Sequence, residues 1–483
     1  MRRSNQILAG LAASLLAHAS VVAAATGVNL PDTPAGRHAA AWVDAFNSGD
    51  ETAVRAMYEK HLAARSLAAR PMEGRLGQYR AAHERDGRLS LQRVVQSEER
   101  FLRLLVQTEK DGFLQLDFEC EESRPFGLAG VGVMGVRDPA AVVPRPAPVT
   151  AARLPATFDS CLAGRTKAGQ FSGVVLVARD GKPVFRKAYG LADRRFASAN
   201  REDTRFNMGS LGKLVTKLAI AQLVEAGRLG LDDPLGRWLP DWPKESAGKI
   251  TVEQLADHRS GVPDFLNEPR LRERFFGSDR SGLRHNRDFL PFFRDEPLLF
   301  EPGTAERYSN SGYVLLGEII ERASGEDFYD YVRKHVYEPA GMNGTGSWEA
   351  DDPEPDIARG YYATQAGAGP VRENTIHLWP RAFAAGGGYT TVDDLLAFES
   401  ALRGGKLASP AWGAWVLGGP RPGSAPGAVT MPDRYVLMGG AEGITARLDR
   451  VGPWTLVLLS NLDRGLLGHV EEDLHDWVRG VRD

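Results

Sequence analysis

A stretch rich in proline and alanine, residues 137–156 (RDPAAVVPRPAPVTAARLPA), limits what this chain can fold into. It shows neither the alternation of a strand nor the period of a helix, and we interpret it as a linker. At 483 residues the chain is also too long for one ordinary hydrophobic core. We therefore expect two folded domains, over residues 31–136 and 157–483.

Residues 1–25 have the layout of a signal peptide. Arg2 and Arg3 precede an uncharged run, ILAGLAASLLAHASVVAAA, that ends in small residues. An uncleaved anchor is the alternative, because the run approaches the length needed to span a bilayer. The small residues before Ala25 favour cleavage there, and no later segment is apolar enough to span. The sequence thus predicts a secreted or periplasmic protein with no stable membrane insertion after cleavage.

Composition and charge restrict the partners. The chain is 43% hydrophobic and 25% charged, as expected of a folded globular protein. A formal net charge of −3 gives no electrostatic reason to expect nucleic acid as a partner. Two cysteines, Cys120 and Cys161, cannot form a disulfide framework for so long a chain. Whether they form one bridge or stay free thiols is left open.

Residues 31–136 predict a small α+β domain. The segment HAAAWVDAFNSGDETAVRAMYEKHLA indicates two short helices joined at residues 47–50. Strand-like runs follow, RLSLQRVVQ, RFLRLLVQTE and FLQLDFECEE, the last two separated by a hairpin signal at Asp111 and Gly112. Helices followed by an antiparallel sheet are typical of an α+β domain. This order and the AFNSGD start resemble the NTF2-like (SnoaL-like) fold, and we interpret the region as an accessory domain.

The remainder of the chain predicts one sheet assembled from distant segments. SGVVLVARDGKPVFRKAYGLA indicates two strands around a turn at Asp180 and Gly181. A last apolar strand, WTLVLLSN, begins at Trp454, and helical segments and loops rich in glycine and proline lie between.

The stretch FNMGSLGKLVTK places Ser210 and Lys213 at the start of an amphipathic helix. Three positions correspond to about one helical turn, so the amine could approach the hydroxyl. A serine nucleophile needs a base, and a lysine serves when burial destabilises its ammonium. The alternative is an N-cap serine followed by a solvated lysine. The motif is short, and Ser246 and Lys249 match it too, in a segment we expect to be solvated.

A second group of polar residues precedes the helix pattern YVLLGEIIERASG. In RYSNSGY, Tyr308 can relay a proton and Asn310 can hold a substrate carbonyl. Ser309 or Asn310 can instead cap the helix, and both interpretations are compatible.

At this point residues 170–465 resemble a known family, the serine β-lactamase-like proteins. This family includes class C β-lactamases, penicillin-binding-protein homologues, D-aminopeptidases and family VIII esterases. The resemblance extends over ordered blocks: DTRFNMGSLGK, LVEAGRLGLDDPLGRWLPDWP, ITVEQLADHRSGVPDF, EPGTAERYSNSGYVLLGEIIERASG, PAGMNGTG, AAGGGYTTVDDLLAF and LLSNLD. It implies an α/β fold in which helices flank an antiparallel sheet, with a helical insert beside it and the site between.

The resemblance also implies residue roles. Ser210 would be the acyl-forming nucleophile, Lys213 the general base, Tyr308 a second acid/base and Asn310 a substrate-binding amide. The backbone N–H of Ser210 would form half of the oxyanion hole. The stretch over residues 275–300, crowded with Phe and Leu, would wall the substrate pocket.

The family's third motif departs from its usual pattern. Aligning GGAEGITARL with the family's glycine block places the motif on Leu437, Met438 and Gly439, as substrate-binding residues. Gly440 then supplies the second oxyanion N–H, or Ala441 if the register shifts by one. The family has lysine or histidine where Leu437 stands, and leucine cannot donate a hydrogen bond. This weakens the prediction of substrates bearing a carboxylate and favours a less polar ester or amide.

Other chemistries find little support in the sequence. It lacks G-x-S-x-G, H-E-x-x-H, a paired zinc-ligand spacing and a P-loop, so we predict no metal and no cofactor. His258 is expected to be structural. The prediction is an exported serine hydrolase acting through an acyl-enzyme on a small-molecule ester, amide or peptide. The alternative is a catalytically degraded relative that binds a ligand or regulates a partner.

Overall fold

The computed structural model describes residues 28–481 except for 70–71, 111, 122, 137–138, 140–141, 143–146, 353–355, 366–367, 425–428 and 469. The predicted signal peptide and part of the predicted linker lie outside the described residues. Among the residues described, no helix is long and apolar enough to cross a membrane. Cys120 and Cys161 are both free thiols.

The chain divides into two compact units between residues 144 and 145, inside the predicted linker. The end of that linker was placed too late, because helix α5 of the second unit already begins at Leu154. Pro155 lies in the first turn of this helix, where a missing N–H donor costs nothing.

The first unit has helices followed by strands, as predicted. Gly49 ends the first helix in a left-handed conformation (φ 71°), and the Asp50 side chain caps the second. The strands form one antiparallel sheet in the order β1-β2-β3-β4. The described elements of this unit are α1 (Pro34–Ser48), α2 (Glu51–His61), α3 (Ala64–Ala69), α4 (Met72–Asp86), β1 (Leu89–Ser97), β2 (Phe101–Thr108), β3 (Phe113–Cys120) and β4 (Leu128–Val136).

Three elements of this unit were missed from sequence: helices α3 and α4 and strand β4. Strand β4, LAGVGVMGV, carries glycines that weaken any strand signal, and its register comes from pairing with β3. Helix α4 has few apolar residues, of which Leu76 and Tyr79 are buried. The resemblance of this unit to NTF2-like domains stays a prediction.

The second unit has a mixed helix and sheet architecture. Its described helices are α5 (Leu154–Lys167), α6 (Gly212–Glu225), α7 (Leu235–Trp238), α8 (Lys244–Ala247), α9 (Val252–Ala256), α10 (Pro269–Phe276), α11 (Asn310–Ser324), α12 (Phe328–Val332), α13 (Glu338–Ala340), α14 (Val392–Arg403), α15 (Pro410–Val416), α16 (Arg464–Leu467) and α17 (Val470–Arg479). Its strands are β5 (Gly173–Arg179), β6 (Lys182–Tyr189), β7 (Leu191–Asp193), β8 (Ser198–Ala199), β9 (Phe206–Asn207), β10 (Tyr361–Gln365), β11 (Ala368–Glu373), β12 (Tyr389–Thr390), β13 (Arg434–Ala441), β14 (Ile444–Val451) and β15 (Trp454–Ser460).

The main sheet is antiparallel, in the order β13-β14-β15-β5-β6, and joins segments from both ends of the unit. Strands β5 and β15 pair from Gly173 with Ser460 to Arg179 with Trp454. On one face of the sheet, Val175 and Leu456 pack with helices α5 and α17, whereas Val174 and Leu459 pack on the other face. Burial of both faces explains why these strands read as unbroken apolar runs. The predicted sheet from distant segments is confirmed.

Most helices between β9 and β13 form the predicted helical insert, with its own core, whereas α14 packs against strands β5 and β15 of the main sheet. Helix α6 buries Leu218, Ile220 and Leu223 in that core, and α11 buries Leu316 and Ile320 there. The start of α6 adjoins the edge strand β13, so the sheet and the insert meet at residues 209–212.

Candidate active site

Ser210 lies in a tight 3₁₀ turn, Gly209–Leu211, between strand β9 and helix α6. Gly209 has a φ of +50°, and its N–H donates to Asn207 Oδ1 over 2.9 Å. The N-cap of α6 is Leu211, without a capping side chain. The interpretation of Ser210 as an N-cap is therefore wrong, and its hydroxyl is directed to other partners.

The Ser210 hydroxyl contacts both Lys213 and Tyr308. The Lys213 Nζ lies 3.2 Å from Ser210 Oγ, and the Tyr308 hydroxyl lies 2.7 Å from the same atom. The interpretation of Lys213 as a solvated lysine is also wrong, because only 7% of the residue is exposed.

The buried Lys213 amine has oxygen partners on its other sides. Asn310 Oδ1 lies 2.7 Å from Nζ, and the Ala385 carbonyl also accepts a hydrogen bond from it. Burial lowers the pKa of Lys213 to about 7, while the negative charge of Asp264 raises it in part. A neutral amine has two N–H donors and one lone pair. The two donors match Asn310 and Ala385, which leaves the lone pair for the Ser210 hydroxyl proton.

Asp264 fixes the orientation of Asn310. The Asn310 Nδ2 donates to both Asp264 oxygens, at 3.2 and 2.9 Å, so its amide oxygen must face Lys213. Asp264 is buried, and the Leu266 N–H donates to its Oδ1 over 3.0 Å. Sequence reasoning assigned Asp264 no role. The available signal was its position in the block ITVEQLADHRSGVPDF, where a carboxylate stands among apolar residues.

Tyr308 precedes helix α11 and rests against His258. Desolvation of its phenol raises the pKa of Tyr308 to about 12, and the Ser210 hydrogen bond opposes that rise. The residue as a whole is 44% exposed, but even its ordinary pKa keeps the phenol protonated at neutral pH. The His258 ring lies 4.5 Å from the Tyr308 ring, centre to centre, and its Nδ1 accepts the Ser309 N–H over 3.2 Å. Burial lowers the pKa of His258 to about 3, so this ring is a neutral support.

Ser309 is the N-cap of α11, since its hydroxyl accepts the Gly312 N–H. Asn310 is the first residue of the helix and points into the site, so capping and site interpretations hold together. The second S-x-x-K match is a surface feature, as expected: Lys249 pairs with Glu301 at 3.0 Å, and its side chain is 53% exposed.

Strand β13 approaches the serine turn so closely that glycine is required. A Cβ on Gly439 would stand 2.2 Å from the Met208 carbonyl oxygen and 2.8 Å from the Ser210 nitrogen. A Cβ on Gly209 would stand 2.9 Å from the Gly440 nitrogen. The backbone of β13 therefore lies directly beside the backbone N–H of Ser210.

The predicted substrate-binding position of Leu437 needs correction. Its partly buried side chain packs against two hydrophobic clusters, that of the insert and that between the sheet and helix α14, whereas Met438 is 45% exposed. Successive side chains of a strand point to opposite faces, and Leu437 lies on the face of β13 that packs against the hydrophobic clusters. In the described part of the chain, the residues near this strand that line the Ser210 cavity are Gly440, Ala441, Glu442 and Ile444. Both predicted sources of a second oxyanion N–H, Gly440 and Ala441, are among them.

Ser210 opens into a cavity of about 590 Å³ whose walls combine apolar and aromatic side chains with polar ones. Its larger apolar side chains are Leu266, Phe276, Trp348, Leu378, Trp379, Phe383 and Ile444. The prediction for residues 275–300 was too broad: Phe276 lines the cavity, but Phe275, Phe289 and Phe293 are buried in the core of the insert. An adjoining cavity of about 620 Å³ does not include Ser210 in its lining, but it shares a wall of six residues with the Ser210 cavity: Asn207, Leu378, Trp379, Pro380, Tyr389 and Ile444.

Comparison with known proteins identifies the class of protein. The Beta-lactamase family model matches residues 158–476. The chain belongs to the serine β-lactamase-like family, whose members are serine hydrolases, and it has the β-lactamase/transpeptidase-like fold predicted from sequence.

Individual relatives differ in their named activities. The chain is 31% identical to Esterase EstB of Burkholderia gladioli over 381 residues, 68% of this chain and 95% of that protein. It is 36% identical to Penicillin-binding protein 4* of Bacillus subtilis over 179 residues, which span only 38% of that protein. Among solved structures, the D-amino acid amidase of Ochrobactrum anthropi SV3 in complex with L-phenylalanine amide superposes with a TM-score of 0.55 at 25% identity, covering 68% of this chain and 98% of the amidase.

Proposed function

We propose that this chain is an exported serine hydrolase that forms an acyl-enzyme on Ser210 from an ester or amide. The observation that carries the proposal is the buried Lys213 amine beside the Ser210 hydroxyl, with a pKa lowered to about 7. A lysine in this state is neutral in a large fraction of molecules at neutral pH and can take a proton.

Each residue of the site has one role in the proposed acylation of Ser210. Lys213 accepts the Ser210 hydroxyl proton while Oγ bonds to the substrate carbonyl carbon, and the carbonyl electron pair moves to its oxygen. The N–H groups of Ser210 and of Gly440 or Ala441 hold that oxyanion. When the tetrahedral intermediate collapses, Tyr308 gives its proton to the departing oxygen or nitrogen, and the Lys213 ammonium restores the phenol. Water then cleaves the acyl-enzyme by the same steps in reverse.

The cavity supports a substrate with an apolar group beside the scissile bond. Burial of apolar substrate surface against aromatic walls is favourable, and the partly buried Leu437 side chain offers no hydrogen bond to a substrate. The similarity to EstB favours an ester, and the similarity to the D-amino acid amidase favours an amide. Export rests on the signal-peptide pattern, and residues 31–136 are proposed as an NTF2-like accessory domain.

Covalent labelling tests the proposal. A fluorophosphonate probe should label the wild-type protein, and Ser210→Ala should abolish the labelling. Hydrolysis of short para-nitrophenyl esters should fall by about a thousandfold or more in Lys213→Ala, which removes the base. A folded wild type that neither reacts with the probe nor hydrolyses these esters would instead support the binding or regulatory alternative.

A further inference from the structure

The wall of the Ser210 cavity contains one pair of opposite charges. Among its described residues, and leaving His377 aside, the acidic and basic side chains are Glu442 and Arg272. They form an ion pair, with Arg272 Nη2 3.1 Å from Glu442 Oε1. The wall therefore carries no net charge from this pair, although it contains a guanidinium.

Arg272 is held in place by three different contacts. Besides the pair with Glu442, its Nη1 donates to the Leu266 carbonyl over 3.1 Å. Its guanidinium carbon lies 4.6 Å from the centre of the Phe276 ring, in a cation–π arrangement. Phe276 and Leu266 also line the cavity, so the guanidinium lies along the apolar wall where a substrate's acyl or leaving group would lie.

Glu442 is positioned by the strand that borders the serine. It directly follows Ala441, the last residue of β13, and its carbonyl accepts the Asn374 Nδ2 over 2.8 Å. The position of this backbone places the Glu442 side chain within reach of Arg272.

A guanidinium binds a carboxylate through a fork of parallel N–H donors, and Glu442 occupies part of that fork. A carboxylate on the substrate would have to displace Glu442 and would then lie beside a second, unpaired negative charge. Resting on the proposed hydrolase function, we propose that Glu442 is a specificity residue: it masks Arg272 and restricts the enzyme to uncharged acyl groups. The cavity thus contains a carboxylate-binding cation that is kept neutralised.

A matched series of substrates tests this inference. The series is three para-nitrophenyl esters of equal acyl length, ending in a methyl, a carboxylate or a trimethylammonium group. Wild type should prefer the methyl ester. Glu442→Gln should raise kcat/KM for the carboxylate ester by about tenfold or more relative to the methyl ester, because Arg272 loses its masking charge. Both side chains are partly exposed, so added salt should reduce that gain.

Two further variants separate the effect from general perturbation. Glu301→Gln removes a glutamate that pairs with Lys249 on the surface and should leave the substrate ratios unchanged. Arg272→Gln leaves Glu442 unpaired and should raise the ratio for the trimethylammonium ester by about tenfold. If Glu442→Gln fails to fold, Arg272→Gln alone still tests whether the two charges neutralise each other in the cavity wall.

The outcomes distinguish the inference from the function on which it rests. If the wild type reacts with the fluorophosphonate but prefers the carboxylate ester, or if neither charge variant changes the ratios by more than about threefold, the masking role is wrong and the hydrolase function stands. If the wild type shows neither labelling nor ester hydrolysis, both the function and the inference are wrong.

Discussion

The Asp264 carboxylate influences the candidate nucleophile, Ser210, through two intervening side chains, Asn310 and Lys213. It fixes the Asn310 amide, which accepts a hydrogen bond from Lys213, and Lys213 contacts Ser210. Its negative charge also raises the pKa of Lys213 against the effect of burial. Asp264 therefore supports the geometry of the base and at the same time limits how far its pKa can fall.

The pH dependence of hydrolysis tests this double role. In wild type, kcat/KM should rise as pH increases through about 7, because the neutral amine of Lys213 is the active form. Asp264→Asn should move the midpoint to lower pH, since loss of the negative charge lowers the pKa of Lys213 further. It should also lower kcat by about tenfold, because the Asn310 amide loses one of the two carboxylate oxygens that orient it.

The pH–rate profile of a para-nitrophenyl ester measures both effects. Asp203→Asn, which removes an exposed carboxylate paired with Arg201, is the matched control. A midpoint that stays unchanged or moves to higher pH in Asp264→Asn would contradict the electrostatic role.

Gly439→Ala should separate strand β13 from the serine turn. The added methyl would stand 2.2 Å from the Met208 carbonyl oxygen, so the strand or the turn must move. We expect a loss of stability of about 1–3 kcal/mol and a fall in kcat of about a hundredfold as the oxyanion donors separate. The control is Gly164→Ala in helix α5, where a Cβ meets no atom within 4 Å. Thermal melts and ester kinetics of both variants measure the outcome, and an active Gly439→Ala would exclude such tight contact.

Residue spacing and the family resemblance together predicted which side chains would lie close to one another, but not the groups that position them. Ser210 and Lys213 are one turn apart, and the family blocks drew Tyr308 and Asn310 to the same site. Ala385 contributes only a backbone carbonyl, which any residue has, so no side-chain pattern can reveal it. Leu437 is not among the residues that line the Ser210 cavity, and sequence could not show this, because an alignment identifies the strand but not which of its side chains pack against the hydrophobic clusters.

At the scale of elements, helix α17 packs against strand β14 and buries the carboxyl group of Glu471, which disfavours its charged form. Burial raises the pKa of Glu471 to about 7, although Arg464 and Arg447 lie 3.3 and 3.6 Å from its Oε2. Nearby, Asp449 accepts the Arg447 Nε over 2.7 Å and lies 2.7 Å from His475 Nδ1. Arg447 thus has a second carboxylate partner if Glu471 is replaced.

Glu471→Gln should stabilise the protein at high pH more than at low pH. The pKa of Glu471 is higher in the folded than in the unfolded chain, so the folded state binds the extra proton between about pH 4.5 and 7. The stability of wild type therefore falls as pH rises through this window, and the cost is complete above it. Glutamine removes that cost, which we estimate at about 1–3 kcal/mol.

The measurement is the melting temperature of wild type and Glu471→Gln at about pH 5 and about pH 8. The gain should be larger at the higher pH. An equal gain at both values would mean that the effect comes from packing and not from the titration of Glu471.

Elements with a strong apolar pattern were predicted, and those stabilised by their neighbours were not. Strands β5 and β15 are apolar throughout because both of their faces are buried. Strand β4 is nearly half glycine and alanine, and it becomes a strand through pairing with β3. In such elements tertiary pairing outweighs local propensity.

At the scale of the whole molecule, all residues of the candidate site lie in the second compact unit. We expect residues 145–483 produced alone to keep fluorophosphonate labelling and a kcat/KM for short esters within about threefold of the full chain. The control is the same shortened chain carrying Ser210→Ala. A folded but unreactive second unit would show that the first unit takes part in the chemistry.

The division into two units was predictable because the prolines and alanines of residues 137–156 fit neither the period of a helix nor the alternation of a strand. Its border with α5 was not, since the proline that suggested a linker also suits the first turn of a helix. Composition alone cannot separate these two uses of proline.

The pairing of β5 with β15 also has a consequence for the order in which this protein can be made. The two strands lie about 280 residues apart, and the whole insert with its serine turn lies between them. During translation β5 is made about 280 residues before β15, so one of its sides lacks its partner strand until β15 has been made. A nascent chain interrupted just before Trp454 would carry every proposed catalytic residue and still lack the central strand of the sheet beside them.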